Sequence, residues 1–87
     1  MSSHLDSMPK LRVITAKELI IFFEKQGFHI DRQKGSHVIL SRIVEGVSQH
    51  LVVPNHNELD RGMTHGIFKQ AKEYLPEKEV KEFFYTD

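Results

Sequence analysis

The stretch FHIDRQKGSHVILSRIVEGVSQHLVVP, Phe28 to Pro54, decides the fold. Phe28 to Gln33 alternates, with Phe28 and Ile30 on one face and His29 and Asp31 on the other, which predicts a half-buried strand. Lys34-Gly35-Ser36 turns the chain. His37 to Ile43 is the second strand, with Val38 and Leu40 on one face and His37, Ile39 and Ser41 on the other. Glu45-Gly46 makes the next turn. Gln49 to Val53 is the third strand, and Pro54 ends it because proline has no N–H to give to a ladder. Short strands joined by tight turns predict an antiparallel meander.

Helices are expected before and after it in the chain. Thr15-Ala16-Lys17-Glu18 has the form of a capping box, in which hydroxyl and carboxylate each satisfy a free backbone N–H. Ala16, Leu19, Ile20 and Phe23 then share one face, and Gly27 supplies a left-handed stop. The apolar run Leu19 to Phe23 has strand character, but the cap, the stop and Glu24-Lys25-Gln26 decide for a helix. After the polar loop from Asn55, Asp60 is an N-cap. Met63, Ile67, Ala71 and Tyr74 form the apolar stripe that follows, widened by Phe68 and Leu75. Pro76 breaks this helix and suits the first turn of another, whose apolar edge is Val80, Phe83 and Phe84.

The expected architecture is therefore α+β in the order α-β-β-β-α, with helices on one face of a three-stranded antiparallel sheet and a short extra C-terminal helix. A chain of 87 residues has room for one core. Residues 1–10 are expected to be a disordered lead or a remnant of expression, and residues 11–87 the single domain. The absence of cysteine excludes disulfides, thiolate nucleophiles and zinc–cysteine sites, and fits a reducing compartment. No apolar run approaches the ~20 residues that span a bilayer, and no signal-peptide core is present. A cytoplasmic protein without a membrane partner is expected. Net charge is zero, but residues 1–72 carry 10 basic and 7 acidic side chains and residues 73–87 carry 2 and 5. A mildly basic body is cancelled by an acidic tail.

His37 is the candidate catalytic residue, because imidazole exchanges a proton near neutral pH. Gly35 lets the backbone approach a ligand closely, and Lys34 and Ser36 could hold a phosphate by charge and hydrogen bond. By pattern alone, an ordinary turn followed by an exposed strand histidine accounts for the same residues. Arg61, His65 and Lys69 recur at helical spacing with Lys72 beside them, a row that can track phosphates. On spacing alone, a solvated helix face is the favoured account of the same row. His29, His50, His56 and His65 have no ligand-type spacing, so no metal and no cofactor are expected.

Five segments together carry a resemblance. Glu18-Leu19-Ile20 through Gly27-Phe28, Arg32-Gln33-Lys34-Gly35-Ser36-His37, Val52-Val53-Pro54-Asn55-His56, Leu59-Asp60-Arg61-Gly62-Met63-Thr64 and Ile67-Phe68-Lys69-Gln70-Ala71 resemble the HicA family of bacterial toxins, also called YcfA-like proteins. The resemblance covers about Thr15 to Ala71. It implies a double-stranded-RNA-binding-domain-like fold, and a toxin of a type II toxin–antitoxin system that acts as an mRNA interferase. Such a toxin cleaves transcripts without a metal and halts translation. The family's catalytic histidine maps onto His37, beside Gly35 and Ser36. The implied partners are mRNA as substrate and a HicB-type antitoxin protein.

In such a nuclease the RNA 2′-OH is the nucleophile and His37 moves a proton, with Lys34 and Ser36 on the phosphate. One histidine does not readily serve both proton transfers, and His56 is the candidate for the second by family position. Two other classes compete: a non-catalytic double-stranded-RNA-binding module, in which the basic helix face matters and His37 does not, and a protein-interaction domain without RNA affinity.

Overall fold

The computed structural model describes residues 10–86. The lead expected over residues 1–10 lies, apart from Lys10, outside the described residues. The elements are β1 (Lys10–Leu11), α1 (Ala16–Lys25), β2 (His29–Lys34), β3 (His37–Val44), β4 (Val47–Pro54), α2 (Arg61–Lys72), α3 (Glu77–Phe84) and β5 (Tyr85–Thr86). The antiparallel sheet has the order β2-β3-β4. The expected α+β fold, with its α-β-β-β-α double-stranded-RNA-binding-domain-like order and an added C-terminal helix, is present.

Local chemistry sets each boundary. At the start of α1 the N–H of Glu18 donates to the Thr15 hydroxyl (3.1 Å) and the N–H of Thr15 donates to the Glu18 carboxylate (2.9 Å), so the capping box is complete. At its end Gly27 stands at φ +96°, a conformation that costs glycine little. Gly27 N–H donates to the Glu24 carbonyl and Phe28 N–H to the Phe23 carbonyl, the paired bonds of a Schellman stop. The accompanying apolar contact is Phe28 against Phe23, with ring centroids 6.1 Å apart. In α2 the Asp60 carboxylate accepts from Met63 N–H at 2.8 Å, as expected of an N-cap.

The hairpin turns set the sheet's register. Lys34 pairs with His37 around Gly35-Ser36, and Gly35 has φ +58° with Ser36 on the negative side, the type II′ pattern. Val44 pairs with Val47 around Glu45-Gly46, both at positive φ, the type I′ pattern. These turns suit the twist of the strands they join.

The core lies between one sheet face and the helices. Val38, Leu40, Leu51 and Val53 from the sheet meet Leu19 and Phe23 of α1, Ile67, Phe68 and Ala71 of α2, and Val80 and Phe84 of α3. Each large side chain buried there contributes about 1.5–3 kcal/mol relative to leaving it in water. Phe22 stacks on Phe83 with centroids 4.1 Å apart, which fixes α3 against α1.

Three features differ from expectation. β2 is exposed at every position rather than half-buried, and Ile30 keeps 50% of its surface in water. The helices cover β3 and β4, and the ladder slips at Asp31, so the edge strand leaves the core. Ser41 is buried although it belongs to the outer face, because neighbouring polar side chains close over it. Finally β1 pairs with β5, Lys10 opposite Thr86 and Leu11 opposite Tyr85. Arg12 reinforces that closure, donating from its backbone to the Phe84 carbonyl (2.8 Å) and from its guanidinium to the Phe83 carbonyl (2.6 Å). Among the described residues no helix is long and apolar enough to cross a membrane.

Candidate active site

His37 occupies the first position of β3, the central strand, and is exposed. Its partner on β2 is Lys34 and its partner on β4 is Pro54. Because Val38 and Leu40 point into the core, His37 and Ile39 point to the open side of the sheet. Among the described residues the His37 imidazole makes no hydrogen bond and Lys34 has no carboxylate partner. Both are available to a ligand.

Gly35 and Ser36 form the turn beside them. The Gln33 side-chain amide donates to the Gly35 carbonyl at 3.2 Å, and Asn55 N–H donates to the Ser36 carbonyl at 2.6 Å. The second bond joins the Gly-Ser-His turn to the Val-Pro-Asn-His segment. That segment is itself folded back, His56 N–H donating to the Pro54 carbonyl, and its His56 carbonyl accepts from the N–H of Ala16 at 3.1 Å. Leu59 N–H donates to the Ile14 carbonyl, tying the loop before α2 to the residues before α1. The turn, the His56 segment and the starts of both main helices are therefore held together at one end of the domain. His56 is exposed there.

The basic row on α2 is divided. Arg61, His65 and Lys69 are exposed. Lys72 is also exposed, but its ammonium lies 4.8 Å from the Phe68 ring centroid, and its charge adds to the lowering of the Glu77 carboxyl, which is led by the hydrogen bond from Lys81. The His65 ring also lies near Phe68, 6.0 Å between centroids. Arg61 and Lys72 stand at opposite ends of a 12-residue helix, roughly 16 Å apart along its axis.

One polar cluster escaped the sequence reading. Ser41 on β3 faces His50 on β4, with its hydroxyl 2.8 Å from the imidazole Nδ1, and it donates to the Asp31 carboxylate at 3.5 Å. The signal was the two-residue turn at Glu45-Gly46, which fixes His50 opposite Ser41. Among the described residues no group of three His, Asp or Glu side chains converges as a metal site.

No curated protein and no solved structure matches the chain. The model of one protein family, described as HicA toxin of bacterial toxin–antitoxin, matches residues 16–72. The match opens with α1 and closes with α2, so it encloses the sheet, the Gly35-Ser36-His37 turn and the basic row, and leaves α3 outside. With most of the chain matched and the expected element order in place, the chain belongs to the HicA toxin family of bacterial toxin–antitoxin systems.

Proposed function

We propose that this toxin is a metal-independent endoribonuclease that cleaves mRNA in the cytoplasm and so blocks translation, and that a HicB-type antitoxin holds it inactive. The observation that carries the reading is the placement of His37: exposed on the central strand, paired with Lys34, and beside the Gly35-Ser36 turn.

The chemistry follows from those groups. A 2′-OH of the RNA attacks the adjacent phosphorus, the P–O5′ bond breaks, and a 2′,3′-cyclic phosphate and a free 5′-OH result. The proton leaves the 2′-OH for a base, and another is given to the departing O5′. His37 performs one of these transfers, a contribution of ~10²–10⁴-fold in rate. Lys34 and the Ser36 hydroxyl offset the negative charge that builds on the phosphate oxygens. His56 is the candidate for the other transfer, since the Asn55–Ser36 bond holds its segment to the turn. Gly35 keeps the approach to the phosphate open, with no atom within 4 Å of where a Cβ would stand. Exposed Arg61, His65 and Lys69 guide the strand to the site.

The test is induced expression in a bacterial host, wild type beside His37→Ala, with growth and transcript integrity followed together. Arrest and transcript loss with wild type alone are expected. Arrest and transcript loss in both would remove His37 from the mechanism. Normal growth in both, with the proteins folded, would favour the non-catalytic binding module.

A further inference from the structure

The open face of the sheet carries an ordered set of side chains beyond the reacting end. Strand register places Lys34, His37 and Pro54 in one cross-strand row, Arg32, Ile39 and Val52 in the next, and His29, Ser41 and His50 in the third. Arg32, His29 and His50 are exposed, and Ile39 and Val52 are half-buried. Asp31 is the sole acid within β2, β3 and β4. Arg32 has no carboxylate partner among the described residues. The face thus carries Lys34 and His37 in one row, Arg32 beside the apolar pair Ile39 and Val52 in the next, and His29 and His50 in the third, with one carboxylate.

That carboxylate has a partner on the face. The Ser41 hydroxyl lies between Asp31 (3.5 Å) and His50 Nδ1 (2.8 Å). A hydroxyl can donate in either direction. When Ser41 donates to Nδ1, the ring proton sits on Nε2, and His50 then presents an N–H donor to a ligand.

We propose that this face is a binding track for single-stranded RNA, in which Arg32 and His50 Nε2–H hold phosphates beyond the one facing His37, while Ile39 and Val52 form a floor for a base. The proposal rests on the nuclease reading and extends it. His50 stands four strand positions from Pro54, the partner of His37, or ~13 Å along the strand. His50 therefore serves a neighbouring part of the strand, not the reacting phosphate. An unpaired strand is the form that can lay bases on apolar side chains and phosphates on the basic ones beside them. Ser41 is a positioning residue, acting through His50.

The test uses the full chain carrying His37→Ala, so that RNA survives, with a labelled, unstructured RNA oligonucleotide at several salt concentrations. Arg32→Gln should lower the slope of log affinity against log salt by about 0.7, one phosphate contact on a single strand. His50→Gln and Ser41→Ala should each weaken binding roughly 2- to 10-fold, the range of one hydrogen bond, and Ser41→Thr should restore it. Lys69→Glu reports separately on RNA binding by the helix face. If Lys69→Glu weakens binding while Arg32→Gln and His50→Gln match the parent, the track is overturned, and transcript cleavage by the chain with His37 intact decides the nuclease reading independently. If the parent binds no RNA at low salt, the nuclease reading itself falls. Equal sensitivity with duplex RNA would overturn the single-strand assignment. Unchanged RNA affinity with lost antitoxin binding would make the face a protein interface instead.

Discussion

The backbone N–H of Asn55 donates to the carbonyl of Ser36 across 2.6 Å. This bond continues the β3–β4 ladder one step past the His37–Pro54 pair. It makes the turn and the following loop a single unit, so the geometry around His37 depends on the conformation of Gly35 as well as on the strand.

Gly35 stands at φ +58° with nothing near its missing Cβ. Substitution there strains the backbone without a steric clash. Gly35→Val is expected to cost about 1–2 kcal/mol, and Gly35→Asn less, because asparagine tolerates the left-handed region. Urea denaturation of the two variants checks this. Transcript cleavage should fall with Gly35→Val in excess of its loss of folded protein, since the turn also positions Ser36.

His37→Ala removes an exposed side chain that makes no hydrogen bond among the described residues. Its stability should stay within about 0.5 kcal/mol of wild type, while purified cleavage of RNA falls by ~10²-fold or more. A chelator should leave the wild-type rate unchanged. Complete inhibition by EDTA would transfer the chemistry to a metal.

Much of this site was legible in the sequence because its parts are local. Turn residues at Gly35 and Glu45-Gly46, the cap at Thr15 and Glu18, and the stop at Gly27 each act on neighbours a few positions away. The register that brings Ser41 to His50 also follows from the second turn. The slip at Asp31 does not, because a bulge depends on how the edge strand meets its neighbour. The exposure of β2 has the same origin: alternation in Phe28 to Gln33 shows that one face is apolar, and only packing shows whether a helix reaches it. The short β1–β5 pair has too few residues to show a period.

The capping box gives α1 a pH dependence of known sign. The N–H of Thr15 holds the Glu18 carboxyl below its ordinary value of 4.5, helped by the Thr15 hydroxyl and the Arg12 charge. A carboxyl lowered in the folded state adds stability above the unfolded value, and that stability is lost as pH falls through the folded one. Thr15→Ala should cost about 1 kcal/mol at neutral pH. Glu18→Gln should flatten the stability curve below 4.5. An acid limb identical to wild type in thermal melts would refute the assignment.

Arg42 ties three parts of the fold together. Its guanidinium donates to the Gln26 carbonyl (2.7 Å), the Tyr74 carbonyl (3.0 Å) and the Gln49 side chain (2.7 Å), and lies 4.6 Å from the Phe28 ring centroid. It joins the ends of α1 and α2 to β3. Arg42→Met should cost about 2–3 kcal/mol, because it strands part-buried carbonyls. Arg42→Lys should recover little, since an ammonium lacks the planar fork that reaches both. Equal stability of the lysine variant and wild type in urea would count against this account.

Lys69 and Lys72 carry the same charge three positions apart, yet the fold uses them differently. Both are exposed, but Lys72 lies over the Phe68 ring and its charge reaches Glu77. Measured in the His37→Ala background, Lys69→Gln should lower the salt slope of RNA binding by about 0.7 and leave stability unchanged. Lys72→Gln should do the reverse, costing about 0.5–1 kcal/mol of stability through the lost cation–π contact with little change in slope. Indistinguishable slopes for the two variants would mean that Lys72 leaves the ring when RNA binds, and that the whole helix face meets the strand.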